Sequence, residues 1–217
     1  MEKIQDNIQI KFKEAKIFSF ELDITSKESV KKLITTLNDK FGKIDALVNN
    51  AYPRNAMWCK KNFFEAEYKD ICENMNMQLG GYFLCSQQFS IYFKKQGYGN
   101  IVSMASIMGV CAPKFQNYKG TSMDSPVEYS MVKAGVVHMT KWMAKYLANT
   151  GIRCNAIAPG GVFDNQPESF LKAYRECCTS KGMLDANDIS GTLVYLLSDM
   201  SRYINGQTIV VDDGWSL

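Results

Sequence analysis

The chain has 217 residues, 46% of them hydrophobic, with 25 Lys and Arg against 22 Asp and Glu for a net charge of +3. That length suffices for one sizeable core, and the weak positive balance without a basic run carries no footprint of a nucleic-acid partner. No stretch approaches the roughly 18 apolar residues of a membrane span, and Met1-Glu-Lys-Ile-Gln-Asp6 lacks the apolar core of a signal peptide, so a cytoplasmic protein with no membrane partner is expected.

Taken in chain order, residues 16–23 alternate in the manner of a strand, and Thr25-Ser-Lys-Glu28 has the form of a capping box opening a helix. Val30, Leu33, Ile34, Leu37 and Phe41 keep helical spacing until Gly42 stops it, and Ile44-Asp-Ala-Leu-Val-Asn49-Asn50-Ala51 is a short apolar strand. A long helix is expected over about residues 64–95, then a strand at 100–104, a loop, and a helix over about 125–148. A strand at 153–157, helices at about 167–180 and 186–199, and a strand at 208–212 complete the pattern. Strands alternating with helices predict a single α/β domain over 1–217, its parallel sheet covered on both faces.

In such sheets ligands bind beyond the carboxyl ends of the strands. Asp23, Asn49, Asn50, Ser106, Pro159 and Gly160 all fall at expected strand ends. Tyr129-Ser-Met-Val-Lys133 then places a phenol and an ammonium one helical turn apart, with Cβ atoms roughly 5–6 Å from each other. A free phenol titrates near pH 10 and is a sluggish base at neutral pH unless adjacent positive charge favours the phenolate. Lys133 is spaced to supply that charge. The seven cysteines form no C-x-x-C pair, so neither a zinc site nor a full disulfide framework is expected, and no metal ligand set is assigned. His138, the one histidine, comes without a nucleophile elbow and reads as structural.

The Tyr129-to-Lys133 helix stands between Ile101-Val-Ser-Met-Ala-Ser106-Ile-Met-Gly109 and Ile152-Arg-Cys-Asn-Ala-Ile-Ala-Pro159-Gly160. With the Ile44 strand and Ile204-Asn-Gly-Gln-Thr-Ile-Val-Val-Asp-Asp-Gly214-Trp215, these segments resemble the short-chain dehydrogenase/reductase family from Ile17 to Leu217. The resemblance implies a Rossmann-like three-layer αβα fold with a mostly parallel sheet. It implies NAD or NADP as cofactor and the interconversion of an alcohol and a carbonyl on a small-molecule substrate. Tyr129 would exchange the proton, Lys133 would lower the phenol pKa and hydrogen-bond the nicotinamide ribose, and Ser106 would orient the substrate oxygen. Ser103 falls out of register for that role and is expected to serve the strand. By the same match Asp23 and Ile24 would border the adenine, Asn50, Ala51 and Tyr52 would line the cofactor cleft, and Val162, after Pro159 and Gly160, would meet the carboxamide. A homodimer or homotetramer through the two long helices is implied as well.

Several features depart from the family pattern. The first glycine is Gly42, so the glycine-rich turn that lets backbone amides reach a pyrophosphate is absent, and the 16 residues before Ile17 cannot hold a β-α-β unit of roughly 30. The first β-α-β unit is therefore expected to be missing. The Ile17 strand would either pair with the Ile44 strand in a contracted sheet or be left with unpaired edges, and cofactor binding would be weak. Tyr52 stands where the family has a glycine, Gln78 where it often has an asparagine, and Asp164 where a threonine is usual. Between Ser106 and Tyr129, Lys114-Phe-Gln-Asn-Tyr-Lys-Gly-Thr-Ser-Met-Asp124 forms an extra loop. With Asn49-Asn-Ala-Tyr-Pro-Arg54 and Phe163-Asp-Asn-Gln-Pro167 it resembles a subgroup of bacterial flagellin modification and nonulosonic-acid sugar pathways. That implies a sugar or sugar-nucleotide substrate, with Arg54 a candidate anion contact. The competing reading is a non-enzymatic remnant or binding subunit unable to hold the dinucleotide.

Overall fold

In the computed structural model, which describes residues 2–217, a first helix α1 (Glu2–Lys11) is followed by an extended run and then α2 (Lys27–Phe41). The cap of α2 is Ser26 rather than Thr25: its hydroxyl accepts from the Ser29 N–H, while the Thr25 hydroxyl donates to Asp23. Gly42, at φ 77°, closes the helix in the left-handed conformation that costs glycine nothing.

Residues 16–23, expected as a strand, form none. No neighbouring backbone offers them a ladder, so they are held by side chains instead: Leu22 and Ile24 pack on the cluster formed by Val30 and Ile34 of α2 and by Cys85, Phe89 and Phe93. The contracted sheet is thus not made, because β1 (Ala46–Asn49) pairs only with β2 (Gly99–Met104).

The sheet continues through β3 (Ile152–Pro159) to β4 (Thr208–Val211), in the order β1-β2-β3-β4 with every pairing parallel. The helix expected over 64–95 is divided. It begins as α3 (Tyr68–Met75), widens into a π-helical turn (Asn76–Gly80), and continues as α4 (Gly81–Gln96). Gln78, in that turn, is buried and neither amide atom finds a protein partner.

Side chains alternate across the strands, and the alternation sets the layers. Ile101, Cys154 and Ile152 face the cluster of α2 and α4, and Ala105, Ala156 and Ala158 meet Tyr82 of α4 and Val136 of α5 (Val127–Tyr146). Val102 and Ile157 face the other way, onto Leu196 of α7 (Ala186–Leu197). The result is the three-layer αβα arrangement with helices on both faces. Alanines at 156 and 158 leave α5 close to the sheet, and close contact is what later buries its polar residues.

Two polar pins fix the strands against their connections. Asn49 donates from Nδ2 to Ser86 (2.9 Å) and to Ser103 (3.1 Å), tying β1 to α4 and β2; Ser103 serves the sheet. Arg153 donates to the carbonyls of Ser201 (3.0 Å) and Leu196 (3.3 Å), satisfying oxygens at the end of α7. Both carbonyls keep other donors, Asn100 on Leu196 and Ile204 on Ser201, so removing Arg153 costs its own charged hydrogen bonds, about 1.5–3 kcal/mol. Arg153→Met is accordingly expected to lower the urea midpoint by the equivalent of about 2 kcal/mol with an unchanged slope.

Candidate active site

Past the carboxyl ends of β1, β2 and β3 lies a cavity of about 620 Å³. Ser106, Tyr129, Lys133, Asn50, Tyr52, Pro159, Gly160 and Val162 all line it, so residues far apart in the sequence meet on one rim. Asp23, Ile24 and Ala51 do not. The Asp23 carboxylate accepts from the N–H and hydroxyl of Thr25, Ile24 packs into the core and against Gly81, and Ala51 is exposed. His138 is exposed on α5 and lies outside the cavity, as does Gln78.

Each functional side chain is positioned by a local device. Ser106 follows β2 and caps a short 3-10 turn (Ile107–Gly109), its hydroxyl oxygen accepting from the Met108 N–H at 3.2 Å. Gly109 lets that turn lie on α5, for a Cβ there would sit 2.4 Å from the Lys133 carbonyl carbon. The same contact keeps Ser106 within reach of Tyr129.

Lys133 is 6% exposed, and its ammonium donates to the Met104 carbonyl at 2.8 Å. It also lies 5.6 Å from the ring centre of Tyr129 and 5.7 Å from those of Tyr52 and Tyr82. Among the described residues no carboxylate pairs with it. Burial therefore dominates, and it pushes the Lys133 pKa down from 10.5 to about 8. Tyr129 moves the opposite way: burial holds its phenol above the ordinary value, and a hydrogen bond with Ser106 acts against that rise. Desolvation is the leading cause for both groups, moving the phenol up and the amine down.

The rest of the wall is aromatic and partly built from the far end of the chain. Tyr52, Trp58 and Tyr129 meet edge to face with centroids 5.6–6.1 Å apart. Arg54 and Asp124 also line the cavity, and Trp58 and Tyr174 are wall residues that sequence spacing does not reveal. Tyr174, in α6 (Glu168–Arg175), accepts from the Gly161 N–H at 2.6 Å and stacks on the buried Trp215. Lys114 from the extra loop donates to the Trp215 carbonyl at 2.6 Å and lies 4.7 Å from its ring.

The residues present suit one end of a nicotinamide dinucleotide. Lys133 uses one N–H on Met104, leaving its remaining donors for hydroxyl groups beside the Pro159-to-Val162 turn. Gly42, the first glycine of the sequence, closes α2.

The burial of Lys133 has a consequence for stability. Its folded pKa of about 8 lies below the unfolded value of 10.5, so between these values the unfolded chain binds more protons and stability rises with pH. Urea denaturation should show wild type gaining stability relative to Lys133→Met as the pH is raised from about 8 to 10.

Comparison with known proteins agrees with this architecture. The sequence model of the family described as Enoyl-(Acyl carrier protein) reductase matches residues 2–216. Post-translational flagellin modification protein A of Campylobacter coli is 53% identical over 214 residues, covering 99% of this chain and 83% of that protein. The 7alpha-hydroxysteroid dehydrogenase of Bacteroides fragilis is 34% identical, over 89% of this chain and 72% of that one. A short-chain dehydrogenase from Leptospira borgpetersenii, solved with bound NAD+, superposes with a TM-score of 0.82 at 32% identity, covering 91% of this chain and 75% of its own. The chain belongs to the short-chain dehydrogenase/reductase family of oxidoreductases.

Proposed function

We propose that this site interconverts an alcohol and a carbonyl with a nicotinamide dinucleotide, on a small sugar-like substrate. The observation that carries the reading is the convergence of Ser106, Tyr129 and Lys133 on one cavity at the strand ends. The dinucleotide, when bound, supplies or accepts the hydride. Tyr129 holds or releases the proton at the substrate oxygen, and its raised pKa keeps it protonated at neutral pH, the form needed to donate in the reducing direction. Ser106, which accepts from the Met108 N–H and hydrogen-bonds the Tyr129 phenol, stands beside that phenol to orient the same oxygen. Lys133 offers its remaining N–H groups to hydroxyls and supplies positive charge at the base of the cavity.

A sugar-like substrate agrees with the lining. Trp58, Tyr52 and Tyr118 offer apolar faces, while Asn50, Ser125, Asp124 and Gln166 offer hydrogen-bonding groups, and Arg54 provides a place for an anionic substituent. Support also comes from the 53% identity to a protein named for flagellin modification. The decisive measurement is titration of NADH and NADPH fluorescence, followed by turnover with Tyr129→Phe. Saturable binding with turnover reduced about 10²–10⁴-fold in the variant is expected. A folded chain that binds neither cofactor would favour the second reading, a binding subunit by descent, for which the observation is the missing glycine-rich turn.

The second copy expected for this protein would use the outer face of α4 and α5. Phe83, Ile91, Trp142 and Tyr146 are exposed there around a second cavity of about 690 Å³, and Trp142 stacks on Tyr146 at 4.7 Å. Contiguous apolar surface of that kind is rare on a monomer. Trp142→Glu should therefore convert a dimeric or tetrameric sedimentation profile to a smaller species without loss of helical signal.

A further inference from the structure

Tyr52 occupies an unusual place in the electrostatics of the cavity. It enters from the loop after β1, and two cations lie over its ring: the Lys133 ammonium is 5.7 Å from the ring centre and the Arg54 guanidinium 5.1 Å. Its edges meet the rings of Trp58 and Tyr129. Among the described residues Lys133 has no carboxylate partner and one acceptor, the Met104 carbonyl, so a buried ammonium is left with little compensation from charge. The electron-rich faces of aromatic rings can replace part of that compensation. Two of the three rings around it, Tyr82 of α4 and Tyr129 of α5, come from the helices that bury it; the third is contributed by the loop alone.

We propose that Tyr52 is a positioning residue that holds the Lys133 ammonium charged and directed into the cavity, through the face of its ring rather than through its hydroxyl. The inference concerns the same site as the proposed oxidoreductase activity but does not depend on the chain binding a dinucleotide.

The other groups around the pair leave this assignment intact. Arg54, Cys59 and Glu128 face Tyr52, and Tyr129 faces both Tyr52 and Tyr82. Arg54 lies against the same ring as Lys133, so it competes for that ring and does not stabilise the ammonium itself. Glu128, buried on α5, is a neighbour of Tyr52 and forms no ion pair with Lys133. The phenol of Tyr52 is held above its usual pKa by burial and by Tyr129, so over the range in which Lys133 titrates it is neutral and contributes only its ring.

The test follows the protonation of Lys133 directly. Lysine labelled with ¹³C at Cε reports each ammonium by NMR, and the one resonance that titrates near pH 8 is assigned by its loss in Lys133→Met. Tyr52→Leu is expected to move that midpoint down by about half a unit to one unit, the size of a partly desolvated cation–π contact, whereas Tyr52→Phe should keep the wild-type midpoint. Tyr52 is 42% exposed, so either change is compatible with folding, and Tyr52→Met repeats the test in a side chain of different shape. An unchanged midpoint in both Leu and Met variants would overturn the proposal, and so would a Phe variant shifted as far as the Leu variant. Failure of the cofactor titration leaves this result untouched, so the two readings fail separately.

Discussion

The close approach of α5 to the carboxyl ends of β2 and β3 is the constraint on which this molecule depends. It requires small side chains on the strands, Ala156 and Ala158, and a glycine at the turn, Gly109, because a Cβ there would run into the backbone of Lys133. Once the helix lies that close, Lys133 is carried below the surface, Tyr129 is half-buried, and Ser106 is brought beside the phenol. The same packing that builds the core thus delivers polar groups into a place where water does not reach them freely, and their properties follow from that.

Desolvation decides those properties. A tyrosine and a lysine a turn apart on an exposed helix would favour phenolate and ammonium together. Here the low-dielectric surroundings penalise both charged forms, raising the phenol and lowering the amine, and the single carbonyl of Met104 cannot offset the penalty on the lysine. The rings of Tyr52, Tyr82 and Tyr129 stand around the ammonium, and Ser106, accepting from Met108, hydrogen-bonds the phenol against its rise.

Much of this was legible in the sequence because it is local. The Tyr129-to-Lys133 spacing lies within one helix, and the strands at Ala46–Asn49, Gly99–Met104, Ile152–Pro159 and Thr208–Val211 are short apolar runs ended by turn residues. Residues 16–23 show where local reading fails: their alternation is real, but a strand also needs a neighbour, and Leu22, with Ile24 just after it, is used for packing instead. The division of the long helix at Asn76–Gly80 carries no proline or cap to announce it, and the walls formed by Trp58 and Tyr174 arise from tertiary contacts that no spacing encodes. Asp23 and Ile24 sat at an expected strand end, and with that strand unformed they are tied to the cap of α2 and to the core.

The turn at Pro159-Gly160-Gly161 is stitched to parts of the chain made long after it. Gly160 donates to the Val211 carbonyl, Gly161 donates to Tyr174, and Tyr174 rests on Trp215, which Lys114 grips from the opposite loop. During synthesis, α5 and β2 can therefore meet while the cavity still lacks its far wall. The cavity is finished only once residues 208–215 have taken their place behind that turn, so α5 folded on its own presents no finished pocket.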